Sequence, residues 1–210
     1  MGDLAATLTG GHGATMEPSP YRIQSKKLTM WLFIASDAVT FGAILFGYAY
    51  LRVGSPEWPR PFHFSPSILN GMVMTAVLLT SSLTMLGAVA AAKAGQRASV
   101  IRWLSATVLL GIAFATLHLR EWFHMFDEGW GLAKNPDGGP LMFGATFFSI
   151  TGLHLMHVIS GVVALVVVGI GYNTKWLDEG HIETTGLYWH FVDLVWMFVF
   201  PLLYLMNATR

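Results

Sequence analysis

The sequence has no cysteine. Disulfides, thiolate metal sites and thiol nucleophiles are therefore excluded. Charge is scarce too: 11% of the 210 residues are Asp, Glu, Lys or Arg, against about a quarter in soluble domains. The two signs cancel to a formal net charge of zero, so no basic surface argues for nucleic acid. No repeat of roughly 20–50 residues is visible, and no segment reads as a separate soluble domain. What the chain has in excess is apolar surface. Hydrophobic residues make up 54% of it, and the composition is that of a membrane protein.

The opening stretch, MGDLAATLTGGHGATMEPSPYR, lacks the basic start and apolar core of a signal peptide. Gly2 is followed by Ala6 where a myristoylation motif wants Ser or Thr. Residues 1–22 are expected to form a flexible N-terminal arm, and residues 23–210 a transmembrane domain. A crossing helix needs roughly 20 mostly apolar residues. Five segments meet this: Leu28–Leu51, Ser67–Ala92, Val100–Phe123, Leu141–Tyr172 and Thr185–Ala208. The fold class expected is all-α, an integral membrane bundle of five transmembrane helices. The connections agree. VGSPEWPRPFHFSP (53–66) carries four prolines, KAGQRAS (93–99) is short and basic, DEGWGLAKNPDGGP (127–140) is rich in turn formers, and NTKWLDEGHIE (173–183) is polar.

Lys and Arg counts set the orientation. Side one, facing the N-terminus, holds Arg22, Lys26, Lys27, Lys93, Arg97, Arg102 and Lys175; side two holds Arg52, Arg60, Arg120, Lys134 and Arg210. The bias predicts a cytoplasmic N-terminus and a periplasmic C-terminus. Arg22, Lys26 and Lys27 beside Trp31 form a basic and aromatic collar suited to anionic lipid headgroups, with Lys175 and Trp176 on the same side.

Ionisable groups inside membrane spans are rare and usually point into the bundle. This chain has several. Asp37 lies near mid-bilayer on a face shared with Thr40, Ile44 and Tyr48. His154 and His157 are three residues apart in TGLHLMHVISG, with Gly161 and Ala164 continuing the stripe. Small residues there invite a close neighbour helix. His190 and Asp193 repeat the spacing at the start of the last span, and Glu121 and His124 sit at the end of the third. Two readings compete. In one, Glu121-x-x-His124 with His154 and His157 forms a di-iron carboxylate site; but such bundles need two Glu-x-x-His pairs plus further Glu residues, and only one pair is present. In the other, the groups hydrogen-bond across helices and hold the bundle together. The second span supports the latter, since Asn70, Ser81, Thr84, Ala88 and Ala91 form a small and polar stripe. A transporter or proton channel using Asp37 as carrier is a third class, but no inverted repeat or broken helix accompanies it.

Four stretches resemble one known family in order. They are MWLFIASDAVTFGAILFGYAYLR (30–52), EWFHMFDEG (121–129), ATFFSITGLHLMHVISG (145–161) and ETTGLYWHFVDLVWMFVFPLLYL (183–205). Together they resemble subunit III of the haem–copper oxidases, most closely the bacterial cytochrome c oxidase form. The resemblance implies an accessory subunit of a proton-pumping terminal oxidase in the bacterial inner membrane. It would pack on the catalytic subunit I, bind phospholipid and support proton uptake, with haem and copper in partner subunits and no redox centre in this chain. The same subunit in a quinol oxidase, or an accessory protein of nitric oxide reductase, fits the same residues. Many members of the family have seven spans, whereas five are expected here, the first resembling the family's third. The family's buried Glu is replaced by Asp37, one methylene shorter. Asp37 is expected within hydrogen-bond reach of a polar group on the fourth span, His157 first, and His190 and Asp193, which start the last span near the side-one interface, are read as structural polar anchors.

Overall fold

The computed structural model describes residues 25–136 and 139–208, with Pro66 described by its backbone alone. The expected arm and Arg22 lie outside the described residues. Five helices account for most of the rest: α1 (Ser25–Gly54), α2 (Leu69–Lys93), α3 (Arg97–Asp127), α4 (Met142–Asn173) and α5 (Glu179–Leu203). All five are long and apolar enough to cross a membrane. At 1.5 Å per residue each exceeds the roughly 30 Å hydrocarbon core. The expected all-α membrane bundle is the fold.

The helices alternate in direction. α2, α3, α4 and α5 close a four-helix ring in which each packs on the next, and α1 docks outside it against α4 and α5. α5 is the most buried helix and α1 the least. Tight joints force the antiparallel neighbours. Gly95 ends α2 in the left-handed region (φ +69°), so only three residues join α2 to α3. Asp178 caps α5, its side chain accepting from the His181 backbone N–H at 3.3 Å.

Ring packing depends on glycine at two facing points. Trp189 of α5 is fully buried. It lies between Gly111 of α3 and Gly161 of α4, where an added Cβ would meet the indole at 2.7 Å and 2.9 Å. Gly161 thus admits a tryptophan of α5. The expected stripe of small residues next to the histidines is real, but its partner is α5.

Several boundaries differ from the sequence reading. α3 begins three residues before Val100 and runs to Asp127. α5 starts at Glu179, not Thr185, because the polar DEGHIE segment is capped and wound into the helix. It ends at Leu203, two residues past Pro201, and a short 3₁₀ turn (Leu205–Asn207) follows. Ahead of α2 the chain makes one wide turn at Phe64–Ile68, broken by extended Ser65.

Candidate functional site

Asp37 and His157 meet across α1 and α4. The carboxyl Oδ2 lies 3.4 Å from Nε2, with side chains only 18% and 16% exposed. The contact has ion-pair distance, with alignment short of a full hydrogen bond. Phe41 covers it, its ring edge-on to the imidazole at 5.1 Å. His157 Nδ1 is 2.8 Å from the Leu153 carbonyl. A carbonyl can only accept, so Nδ1 carries a proton. Nε2 is the ring nitrogen left to face Asp37. The buried stripe of α1 is Ile34, Phe41 and Tyr48, with Asp37 half-buried beside it. Thr40, expected on that face, is exposed and bonds back to the Ser36 carbonyl at 3.1 Å.

His154 and His157 do not act together. Three helical residues rotate by 300°, which is enough to send the two rings to different interfaces. His154 is fully buried in the four-helix ring, stacked on Trp196 at 5.3 Å and edge-on to Phe114 at 5.8 Å. Beside it is His118 of α3, also fully buried and 5.5 Å from Trp196. Sequence reasoning did not single out His118. Its signal was the α3 core stripe Thr107, Gly111, Phe114, His118, Glu121, Met125, which repeats every three to four residues.

Glu121 points into this region. Its Oε2 accepts from Asn70 of α2 at 2.8 Å, and the residue is 4% exposed. His124, its partner in the di-iron reading, is exposed and faces Glu128 at 3.4 Å. Among the described residues no three His, Asp or Glu side chains come together at metal-ligand spacing.

His190 and Asp193 belong to the α2–α5 seam. Ser82 Oγ is 2.6 Å from His190 Nδ1 and also lies close to the Asp193 carboxyl. Since α5 begins at Glu179, Asp193 lies roughly 20 Å along the helix axis. It is 6% exposed. Asp193 is thus more buried than the expected interfacial position, whereas His190 is partly buried as expected. The α2 stripe completes the seam and its neighbour: Trp189 donates to Ser81 Oγ at 3.0 Å, and Thr84 meets Thr107 of α3 at 2.8 Å.

At side one the basic residues meet acids of the same chain. Lys27 lies 2.8 Å and Lys93 3.6 Å from Glu183, joining α1 and α2 to α5. Lys26 approaches Asp178 at 3.6 Å and His181 Nε2 at 3.2 Å. Trp31 and Trp176 are exposed, and Lys175 takes a left-handed conformation (φ +64°) just after α4. At side two, Asn207 donates to the Tyr48 hydroxyl, which donates to the Leu202 carbonyl at 3.2 Å; Arg52 donates to the Met206 carbonyl. These bonds tie the last turn of α1 to the end of α5.

The family model described as cytochrome c oxidase subunit III matches residues 5–208. Among curated relatives, the cytochrome bo(3) ubiquinol oxidase subunit 3 of Pseudomonas aeruginosa is 34% identical, over 85% of this chain and 83% of the relative. The cytochrome c oxidase subunit 3 of Alkalihalophilus pseudofirmus is 30% identical, over 98% of this chain and 99% of the relative. A haem–copper oxidase subunit I+III of Aeropyrum pernix is 31% identical over 90% of this chain, which corresponds to 24% of that relative's length.

Proposed function

Because the chain belongs to the cytochrome c oxidase subunit III family, we infer that it is the non-redox subunit of a haem–copper terminal oxidase that reduces oxygen and pumps protons. Electrons pass from cytochrome c to oxygen through copper and haem held by partner subunits. This chain packs on the catalytic subunit, holds phospholipid and supports proton uptake. The observation that carries the reading is the family match, which runs through all five spans. The fused I+III relative supports the choice of partner, since one chain there bears both names. The geometry is in keeping: Glu121, His190 and the Asp37–His157 pair each meet a group on another helix.

The protein is a multi-pass membrane protein. Its N-terminus lies in the cytoplasm and its C-terminus in the periplasm, a reading supported by the excess of Lys and Arg on side one. Quinol as the electron donor is a second reading, favoured by the ubiquinol oxidase relative at 34% identity. Affinity purification of the tagged chain from gently solubilised membranes tests the assignment. A haem-containing catalytic subunit should accompany it and oxidise reduced cytochrome c. Oxidation of quinol alone selects the second reading, and a chain that never brings haem with it removes both.

A further inference from the structure

In the half of the four-helix ring nearer side two, six polar atoms are buried without a protein partner. They are both ring nitrogens of His118, both of His154, Glu121 Oε1 and the Tyr204 hydroxyl. His118, His154 and Tyr204 are fully buried, and Glu121 nearly so. They belong to one cluster. His118, His154 and Tyr204 all surround Trp196, at ring distances of 5.5, 5.3 and 6.0 Å. Glu121 follows His118 one turn further along the buried stripe of α3.

Neither nitrogen of either imidazole has a protein partner. The flanking rings are Phe114, Trp122 and Trp196. Their edges offer no acceptor and their faces only a weak N–H···π one, and the two indole N–H groups are already given to Thr151 and Thr75. A metal ion is the wrong occupant, because these groups do not converge at ligand spacing. Water suits them. It donates twice and accepts twice, and buried water characteristically sits among otherwise unpaired polar groups.

The cluster also has an entrance. A pocket of about 570 Å³ opens at the side-two ends of α2 and α3, lined by Ser65, Asn70, Arg120, Glu121 and His124 among others. Glu121 stands at its inner wall. One carboxyl oxygen is held by Asn70, and the other is buried and unpartnered. We propose that Glu121, His118, His154 and Tyr204 surround an internal water site, entered from the side-two pocket past Glu121 and closed at its inner end by His154. His157, next along α4, is turned away to the Leu153 carbonyl and Asp37, so the water stops short of the α1 interface.

Radiolytic hydroxyl-radical labelling of the assembled oxidase tests this, because radicals formed from bound water mark the buried side chains beside it. Trp189 is the internal control: like Trp196 it is fully buried with its N–H given to a hydroxyl, but it packs against Gly111 and Gly161 and not against the unpaired imidazoles. Trp196 and Tyr204 should be labelled several-fold faster than Trp189. Equal protection of Trp196 and Trp189 would overturn the proposal. His154→Phe, which keeps a flat ring and removes both nitrogens, should bring Trp196 labelling down towards the Trp189 level; an unchanged rate would remove His154 from the site. If that variant fails to assemble, high-resolution electron microscopy of the unaltered complex decides. Solvent density bonded to Glu121 Oε1 and to a nitrogen of His118 or His154 supports the site, and the same atoms paired with protein across a dry core refute it.

Discussion

Asp37 shows how one backbone carbonyl sets the chemistry of a side-chain pair. With Nδ1 of His157 committed to Leu153, Nε2 is the ring nitrogen left for Asp37. Asp37→Asn keeps a polar group of the same shape within reach of it, so assembly and haem spectra should be unchanged, with at most a partial fall in turnover. Asp37→Leu leaves Nε2 unpaired and should cost on the order of 1–3 kcal/mol of stability, read from thermal unfolding of the complex. Complete loss of oxygen reduction in an assembled Asp37→Asn complex would instead place the residue among the reacting groups. Of these residues, Asp37 and His157 were legible from sequence because intramembrane charge is conspicuous. His118 was not, since in HLREWFH it stands six residues from His124 and carries no ligand spacing until the whole α3 stripe is drawn. The separation of His154 from His157 was also hidden: a three-residue spacing suggests one face, but two packed helices divided that face between them.

At the level of helices, apolar length alone identified all five spans, because the bilayer leaves no other solution for a backbone that must satisfy its own hydrogen bonds. Their ends were less legible. Asp178 and the ion pairs at side one extend α5 into sequence that reads as loop, and at the other end a 3₁₀ turn replaces its last residues. Two predictions belong here. Gly111→Val and Gly161→Val push a side chain into the Trp189 ring, and each should destabilise the bundle by about 1–3 kcal/mol; thermal unfolding of the purified complex measures it. The side-one pairs are half-exposed, so Glu183→Gln should cost only about 0–1 kcal/mol, less at high salt. Asp178, outside the spans, behaves similarly. Burial pushes its carboxyl up, but the hydrogen bond from His181 and the charges of His181 and Lys26 outweigh this and hold it below its ordinary value of 3.8. A depressed carboxyl stabilises the folded state above its unfolded value and loses that contribution as pH falls through its folded one. The α5 cap should therefore weaken only under acid, seen as faster hydrogen exchange at residues 179–183 below about pH 4.

For the whole molecule, the polar groups join helices: Asn70 to Glu121, Ser81 to Trp189, Thr84 to Thr107, Ser82 to His190 and Tyr48 to Asn207. That pattern suits a subunit whose work is to pack, hold lipid and steady a neighbour. Lys26 and Lys27 pair with acids, yet an ammonium has three donors, so headgroup oxygens can share them with Trp31, Lys175 and Trp176. Phospholipid should therefore survive gentle solubilisation. Changing Arg22, Lys26 and Lys27 together to Gln should lower its retention in mass spectra of the complex, and unchanged retention would take the collar out of lipid binding. A subunit of an oxidase with no redox centre of its own should bring haem and copper out of the membrane yet carry neither. Haem, copper and iron analysis of the tagged chain measures this, first within the complex it brings from the membrane and then after it is stripped from that complex. Haem and copper should be present in stoichiometric amount with the complex and absent from the separated chain. One equivalent of metal remaining on the separated chain, or a purified complex without haem, would contradict it.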